Sequence, residues 1–214
     1  MGVSRTLSGD KGLVGSVGPG QVSRMTLTEK KFFEEVIIAG FGGQGIMLAG
    51  KLLAQTAMKG GKEVTYMPSY GAEVRGGTAN CMVVISDEAI ASPVVTRPNS
   101  LIAMNKASLN KFGPRLKRGG LVVLNSSLID EYEPGGFEEG VDIVSVPADE
   151  LAIELGSQKA ANMVAIGAYL ERKGFFGADA ACGALPEVLA KRYHKMLGLN
   201  SEALRRGAEF ARSS

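Results

Sequence analysis

Three glycines in one short turn have the clearest chemical use in this chain. Gly40, Gly42 and Gly45 have the Gly-x-Gly-x-x-Gly spacing within Gly40-Phe41-Gly42-Gly43-Gln44-Gly45. An apolar run, Val36-Ile37-Ile38-Ala39, precedes them, and an apolar-periodic segment starting at Ile46 follows. Strand, glycine turn and helix in this order can receive a phosphate: the first glycine permits the tight turn, the second admits close approach, and the third lets helix and strand pack. Free N–H groups at the helix start favour an anion or a polar group of a partner. A dinucleotide site also needs an Asp or Glu ending the next strand, to hold the ribose hydroxyls. The next apolar strand pattern, 63–67, has its acid, Glu63, at the beginning and ends in Tyr66-Met67-Pro68. An ordinary NAD or FAD protein is therefore disfavoured, and a tight turn without a ligand stays open as an alternative.

A second stretch, Pro68-Ser69-Tyr70-Gly71-Ala72-Glu73-Val74-Arg75-Gly76-Gly77, leaves the carboxyl end of that strand, on the same sheet edge as the glycine turn. Ligands and partners of open α/β sheets dock at this edge. Tyr70, Glu73 and Arg75 are set between glycines, and Arg75 can fork to a carboxylate or phosphate of Glu73, of a ligand or of another chain. A solvated turn is the alternative, since loops are usually exposed.

These loops need a scaffold that holds them together. Further strand patterns lie at 78–86, 100–105, 121–125 and 141–147, with a short edge element at 90–95 limited by Pro93 and Pro98. Helical patterns lie at 46–59, stopped by Gly60-Gly61, and at 107–112, 149–155 and 157–173. Leu185-Pro186-Glu187 opens another helix, and Asn200-Ser201-Glu202 caps a last one running to about residue 211. Strands alternating with helices predict an α/β fold: a single Rossmann-like domain with a mostly parallel sheet flanked by helices and a helical C-terminal part, without a second hydrophobic core. Residues 1–28 alternate Gly, Ser and Val without period and read as a disordered tail, with Met25 as an alternative start; the domain occupies 29–214.

Composition excludes several classes. Hydrophobic residues make up 45% and charged residues 21% of 214, and the net charge is +2, so no nucleic-acid footprint shows. No apolar run is long enough to span a membrane and no signal core precedes the compact part, so the cytoplasm is the expected location. Cys81 and Cys182 cannot form a CxxC pair or supply an iron–sulfur cluster, and buried free thiols are expected. The sole histidine, His194, sits among charged residues and reads as a surface group, which leaves no zinc site.

Taken together, the glycine turn and Pro68 to Cys81, with Ser92-Pro93, Asn105-Lys106-Ala107-Ser108-Leu109, Gly119-Gly120, Asn125-Ser126-Ser127 and Ala161-Asn162-Met163-Val164, resemble the gamma subunit of 2-oxoacid:ferredoxin oxidoreductases. The resemblance covers about residues 33–210, and the Pro-Ser-Tyr-Gly-Ala-Glu-Val-Arg-Gly-Gly form is most similar to the 2-oxoglutarate branch. It implies oxidative decarboxylation of a 2-oxoacid with coenzyme A to acyl-CoA, carbon dioxide and reduced ferredoxin. It also implies alpha and beta subunits, a ferredoxin-like delta subunit, ferredoxin as acceptor, and thiamine diphosphate, Mg2+ and iron–sulfur clusters held by chains other than this one. Neither nucleic acid nor membrane is an implied partner. No catalytic residue and no metal ligand is assigned to this chain. Gly40, Gly42, Gly43, Gln44, Gly45, Tyr70, Glu73, Arg75, Gly76, Gly77 and Asn80 are the candidates for cofactor binding or subunit contact. A stand-alone nucleotide-binding Rossmann-like protein, or the gamma chain of a pyruvate or branched-chain 2-oxoacid enzyme, are the alternatives.

Overall fold

A computed structural model of the chain describes residues 31–69, 78–131 and 136–214. Its centre is β1 (Phe33–Phe41), in which Val36, Ile37, Ile38 and Ala39 are all fully buried. A strand covered on both faces must be apolar at consecutive positions, which is why this run does not alternate. β1 is followed by α1 (Ile46–Lys59), β2 (Glu63–Ser69), β3 (Thr78–Ser86), β4 (Ser100–Ala103), α2 (Lys106–Phe112), β5 (Leu121–Asn125) and β6 (Asp142–Val146). The six strands form one sheet in the order β2-β3-β1-β4-β5-β6. β1 to β4, β4 to β5 and β5 to β6 pair in parallel. β3 runs antiparallel to both of its neighbours, β1 and β2, so the sheet is mostly parallel with one reversed strand.

The rest of the chain is helical: α3 (Ala148–Glu154), α4 (Ala161–Lys173), α5 (Ala178–Val188) and α6 (Leu197–Ser213). One sheet face receives α1, α3, α4, α5 and α6 and forms the larger buried cluster, which includes Ile38, Leu52, Val164 and Tyr169. The other face receives α2 and forms a smaller cluster around Ile37, Leu101, Phe112 and Leu124. A one-core reading of the sequence is corrected by this: consecutive residues of β1 and β4 feed opposite faces, so one sheet makes two cores. The fold is otherwise the expected Rossmann-like α/β domain with a helical C-terminal part.

α4 and α6 cross at two glycines. A Cβ on Gly167 would fall on the Leu204 carbonyl, and one on Gly207 on the Val164 carbonyl, both far inside the 3.0 Å that real Cβ atoms keep. The crossing brings two backbones into contact and holds α4 against the sheet.

Several local expectations are corrected. Residues 90–95 form no strand; Pro93 interrupts the backbone, and Val95 instead tucks into the smaller core with its N–H on the Met82 sulfur at 3.3 Å. α5 begins at Ala178, so Pro186 lies in its last turn and not its first. Alanine and glycine there favour or permit helix without leaving an apolar period to read. α6 begins at Leu197, which puts Asn200 inside the helix, buried, where it does not cap. The 157–173 helix opens with a 3-10 turn over Gln158–Ala160. Cys182 is only half-buried, and His194 is half-buried with Nε2 3.0 Å from the Leu189 carbonyl oxygen. No helix of the described residues is long and apolar enough to cross a membrane. The 1–28 segment lies outside the described residues.

Candidate functional site

β1 and β4 are parallel neighbours whose chains leave for opposite faces: α1 packs into the larger core and α2 into the smaller one. No connection can fill the gap between their carboxyl ends, and a crevice at such a switch point is where open α/β sheets bind ligands. Here the crevice has a volume of about 240 Å³. Gly43 and Gln44 wall it from β1, Met104 from β4, Leu128 from the turn after β5, Asp149 from α3, and Gln158, Lys159 and Ala161 from the start of α4. A wider hollow of about 670 Å³ lies beside α2 and Phe137, away from the glycine turn.

The glycine turn is held by carboxamides. Gln44 N–H donates to the Phe41 carbonyl at 3.2 Å and closes the turn. Its side chain then reaches two ways: Oε1 accepts from Phe41 N–H at 2.6 Å, and Nε2 donates to the Met104 carbonyl at 3.2 Å. Gly45 is the N-cap of α1 with φ of 72°, a left-handed conformation that favours glycine, and offers no side-chain cap. Its carbonyl accepts from Asn162 Nδ2 at 3.0 Å, and a Cβ at Gly45 would collide with that amide. Gly43, with φ of 98°, faces open space. Gly42 is exposed at the turn.

The other strand ends are pinned in the same way. Asn105 caps α2, its Oδ1 accepting from Ser108 N–H at 2.8 Å. Asn125 Oδ1 accepts from Ala148 N–H at 3.1 Å while its amide donates to Asp149 Oδ2. Asp149, 7% exposed, also accepts from Gln158 Nε2 at 2.8 Å. An ionised carboxylate accepts about four hydrogen bonds, so two donors do not saturate it. An acid absent from the end of the second strand is thus present at this edge, from the β6–α3 junction. Lys159 is exposed and makes no ion pair among the described residues. A carboxylate, an ammonium and the uncapped start of α1 suit a polar ligand that carries both hydrogen-bond donors and an anionic group.

Of the glycine-turn candidates, Gly43 and Gln44 wall this crevice, and Gly40, Gly42 and Gly45 adjoin them along the same turn without lining it. Asn80, buried in β3, lies opposite Ala39 and Ser69, at the foot of the turn. Tyr70, Glu73, Arg75, Gly76 and Gly77 lie outside the described residues. The strands that flank them end here: β2 stops at Ser69, and β3 starts at Thr78, opposite Phe41. Sequence reasoning missed Met104, Leu128, Asp149, Gln158, Lys159 and Asn162. A polar carboxamide or acid directly after each apolar strand, as at Asn105 and Asn125, was the available signal.

Neither cysteine suits a cluster. Cys81 is fully buried in β3 with Sγ on the Ile46 carbonyl, and burial pushes its thiol up to about 12. Burial also raises Cys182, on α5. Among the described residues no group of three or more His, Cys, Asp or Glu is arranged to hold a metal ion.

Residues 35–210 match the family model described as pyruvate ferredoxin/flavodoxin oxidoreductase. The ketoisovalerate oxidoreductase subunit VorA of Methanothermobacter thermautotrophicus is 38% identical over 182 residues, which cover 84% of this chain and 36% of that protein. The chain therefore spans about a third of that relative's length. The 2-oxoglutarate synthase subunit KorC of Methanothermobacter marburgensis is 40% identical over 152 residues, covering 69% of this chain and 82% of KorC. The gamma subunit of a keto/oxoacid ferredoxin oxidoreductase from Geobacter sulfurreducens superposes with a TM-score of 0.72 at 28% identity, over 85% of this chain and 99% of that one. A 2-oxoglutarate:ferredoxin oxidoreductase from Magnetococcus marinus, solved with 2-oxoglutarate, coenzyme A and succinyl-CoA bound, superposes with a TM-score of 0.73 at 29% identity, over 87% of this chain and 32% of that one. With a match across nearly all of its described length and a glycine turn built at the sheet's switch point, the chain belongs to the gamma-subunit family of the 2-oxoacid:ferredoxin oxidoreductases.

Proposed function

We propose that this chain is the subunit that holds coenzyme A against the reaction centre of a 2-oxoacid:ferredoxin oxidoreductase, with 2-oxoglutarate as the 2-oxoacid. The complex decarboxylates the 2-oxoacid oxidatively in the cytoplasm, passes the acyl group to coenzyme A and the electrons to ferredoxin. Alpha and beta subunits carry thiamine diphosphate with Mg2+ and the iron–sulfur clusters, together with a ferredoxin-like delta subunit. The observation that carries this reading is the crevice between the carboxyl ends of β1 and β4, walled by Gly43, Gln44, Asp149 and Lys159. Coenzyme A has the complementary chemistry: phosphates for Lys159 and the start of α1, and hydroxyl and amino donors for Asp149. The likeness to KorC and to the Magnetococcus enzyme supports 2-oxoglutarate.

Reconstitution of the complex with Lys159→Ala tests the placement. The KM for coenzyme A rises several-fold and the KM for the 2-oxoacid stays as it is; an unchanged KM for coenzyme A removes the crevice from the reaction. In this reading Tyr70, Glu73, Arg75, Gly76, Gly77 and Asn80 have a share in coenzyme A binding or in contact with the alpha and beta subunits. Arg75→Ala with intact assembly and an unchanged KM for coenzyme A counts against that part. A branched-chain 2-oxoacid is the second reading, favoured by the likeness to VorA. Parallel assays of the native complex with 2-oxoglutarate and 2-oxoisovalerate separate the two.

A further inference from the structure

We infer that the Gln44 carboxamide is a positioning group that clamps the glycine turn to the exit of β4 and so presets the crevice. As a statement about the reaction, this rests on the placement of coenzyme A proposed above. At the switch point the two chains diverge to opposite faces: the last backbone tie between them is Met104 N–H to the Ala39 carbonyl at 2.8 Å, and among the described residues no backbone hydrogen bond joins Phe41 to Met104. One side chain spans that gap. Its Oε1 accepts from Phe41 N–H at 2.6 Å and from Asn105 Nδ2 at 3.4 Å, and its Nε2 donates to the Met104 carbonyl at 3.2 Å. Asn105 in turn caps α2 through Ser108 N–H, so the clamp runs from the end of β1 to the start of α2.

The position demands a group that accepts and donates at once. A carboxylate lacks the donor, an ammonium or guanidinium lacks the acceptor, and an apolar side chain lacks both. The first glycine of the motif takes on a second meaning. A Cβ on Gly40 would sit 2.6 Å from Gln44 Oε1, 2.7 Å from Ile46 Cδ1 and 2.9 Å from Met104 Cβ. Gly40 leaves room for the clamp as well as for the turn. Because Gln44 also walls the crevice, its displacement alters the cavity itself.

The test uses the reconstituted complex with Gln44→Glu, which is isosteric, and Gln44→Leu. The readouts are steady-state kinetics with coenzyme A as the probe, and hydrogen exchange of the peptides covering 41–49 and 104–112. In Gln44→Glu at neutral pH, exchange accelerates in those two segments alone. The KM for coenzyme A rises about tenfold, the scale of one lost hydrogen bond, while kcat at saturating coenzyme A stays within about twofold. The KM defect relative to wild type shrinks as pH falls, because a protonated carboxyl regains a donor for Met104; Gln44→Leu shows no such recovery. Unchanged exchange in both segments overturns the clamp whatever KM does. Accelerated exchange with an unchanged KM for coenzyme A supports the clamp and overturns the placement of coenzyme A in the crevice. Exchange rising throughout the chain, with kcat and both KM values worsening together, marks a merely structural role and overturns the positioning one. Should Gln44→Glu not assemble, Gln44→Asn keeps both hydrogen-bonding senses on a shorter arm and is read by the same outcomes.

Discussion

The two ends of the sheet are built from different chemistry. At the amino end, where β1, β4 and β6 begin, charged pairs predominate, with Asn99 Oδ1 accepting from Glu35 N–H at 3.1 Å beside them. Glu34 meets Lys173 at 2.9 Å, Glu35 meets Lys117, Asp87 meets Lys62, and Asp142 takes a two-pronged contact from Arg172 at 2.5 and 2.8 Å. At the carboxyl end the clamps are mostly carboxamides: half-buried Gln44 and buried Asn105, Asn125 and Asn162 each fix one loop. The charges beside them, Asp149 and Lys159, face the crevice. Paired charges close an end of a molecule. Neutral clamps shape an end while leaving its charges available, as an edge must be if it is to receive something. The glycines tell the same story in miniature. Gly167 and Gly207 yield their space to backbone carbonyls, whereas Gly40 and Gly45 yield it chiefly to side chains, Gln44 and Asn162 among them.

The largest expected effect falls at the amino end. Glu34 is buried and accepts from Ser100 Oγ at 2.5 Å and Tyr169 OH at 3.3 Å besides pairing with Lys173. Burial of the Tyr169 phenol and, after it, the charge of Glu34 hold that phenol well above its usual range. Glu34→Ala leaves Lys173 without its partner and should cost about 3–5 kcal/mol in urea unfolding, with the KM for coenzyme A unaltered in any complex that assembles. A change in that KM would show that the two ends are not separate.

Gly45→Ala is the carboxyl-end counterpart. The left-handed φ and the displaced Asn162 amide together cost about 1–3 kcal/mol, and here the KM for coenzyme A rises as well. Stability loss without a KM effect would reduce the glycine turn to packing.

Acid separates the ends without a large mutation. The hydrogen bond from Lys62 lowers Asp87, and the hydrogen bond from Arg172 lowers Asp142. A carboxyl group whose folded pKa lies below its unfolded value of about 3.9 stabilises the fold above that value and loses the contribution as pH falls through the folded pKa. Both side chains are more than a third exposed, so solvent screening keeps the effect small. Asp87→Asn with Asp142→Asn should flatten the acid limb of a melting-temperature profile and leave its neutral part nearly level.

The smallest signal comes from Cys81, beneath the first turn of α1. With its thiol at about 12 and no exposure, it should resist alkylation at neutral pH until the chain opens. Gln44→Glu should speed its labelling if the clamp holds α1 in place. An unchanged rate would confine the clamp's effect to the turn.

Much of the fold was legible because apolar period is a local signal. The buried run of β1 and the span of β5 are read directly from the chain, and Gly60 ends α1 where the sequence places the stop. The start of α5 was not, because Ala178 to Gly183 carries almost no period, and Pro186 looked like an opening when it sits near the end. Half of the crevice was legible through the glycine spacing. The other half was not, because Asp149 and Lys159 follow β6 and precede α4, more than a hundred residues away from Gly45.

By itself, then, the sequence determined the strand-turn-helix unit, the alternation that makes an α/β sheet and the family motifs, since each depends on neighbours along the chain. Only the tertiary structure decided that β3 reverses, that β1 and β4 part to opposite faces, and that Gln44 bridges the gap they leave. Strand order and the side to which each connection passes are settled by which faces can be covered together, and that competition among distant segments leaves no local mark.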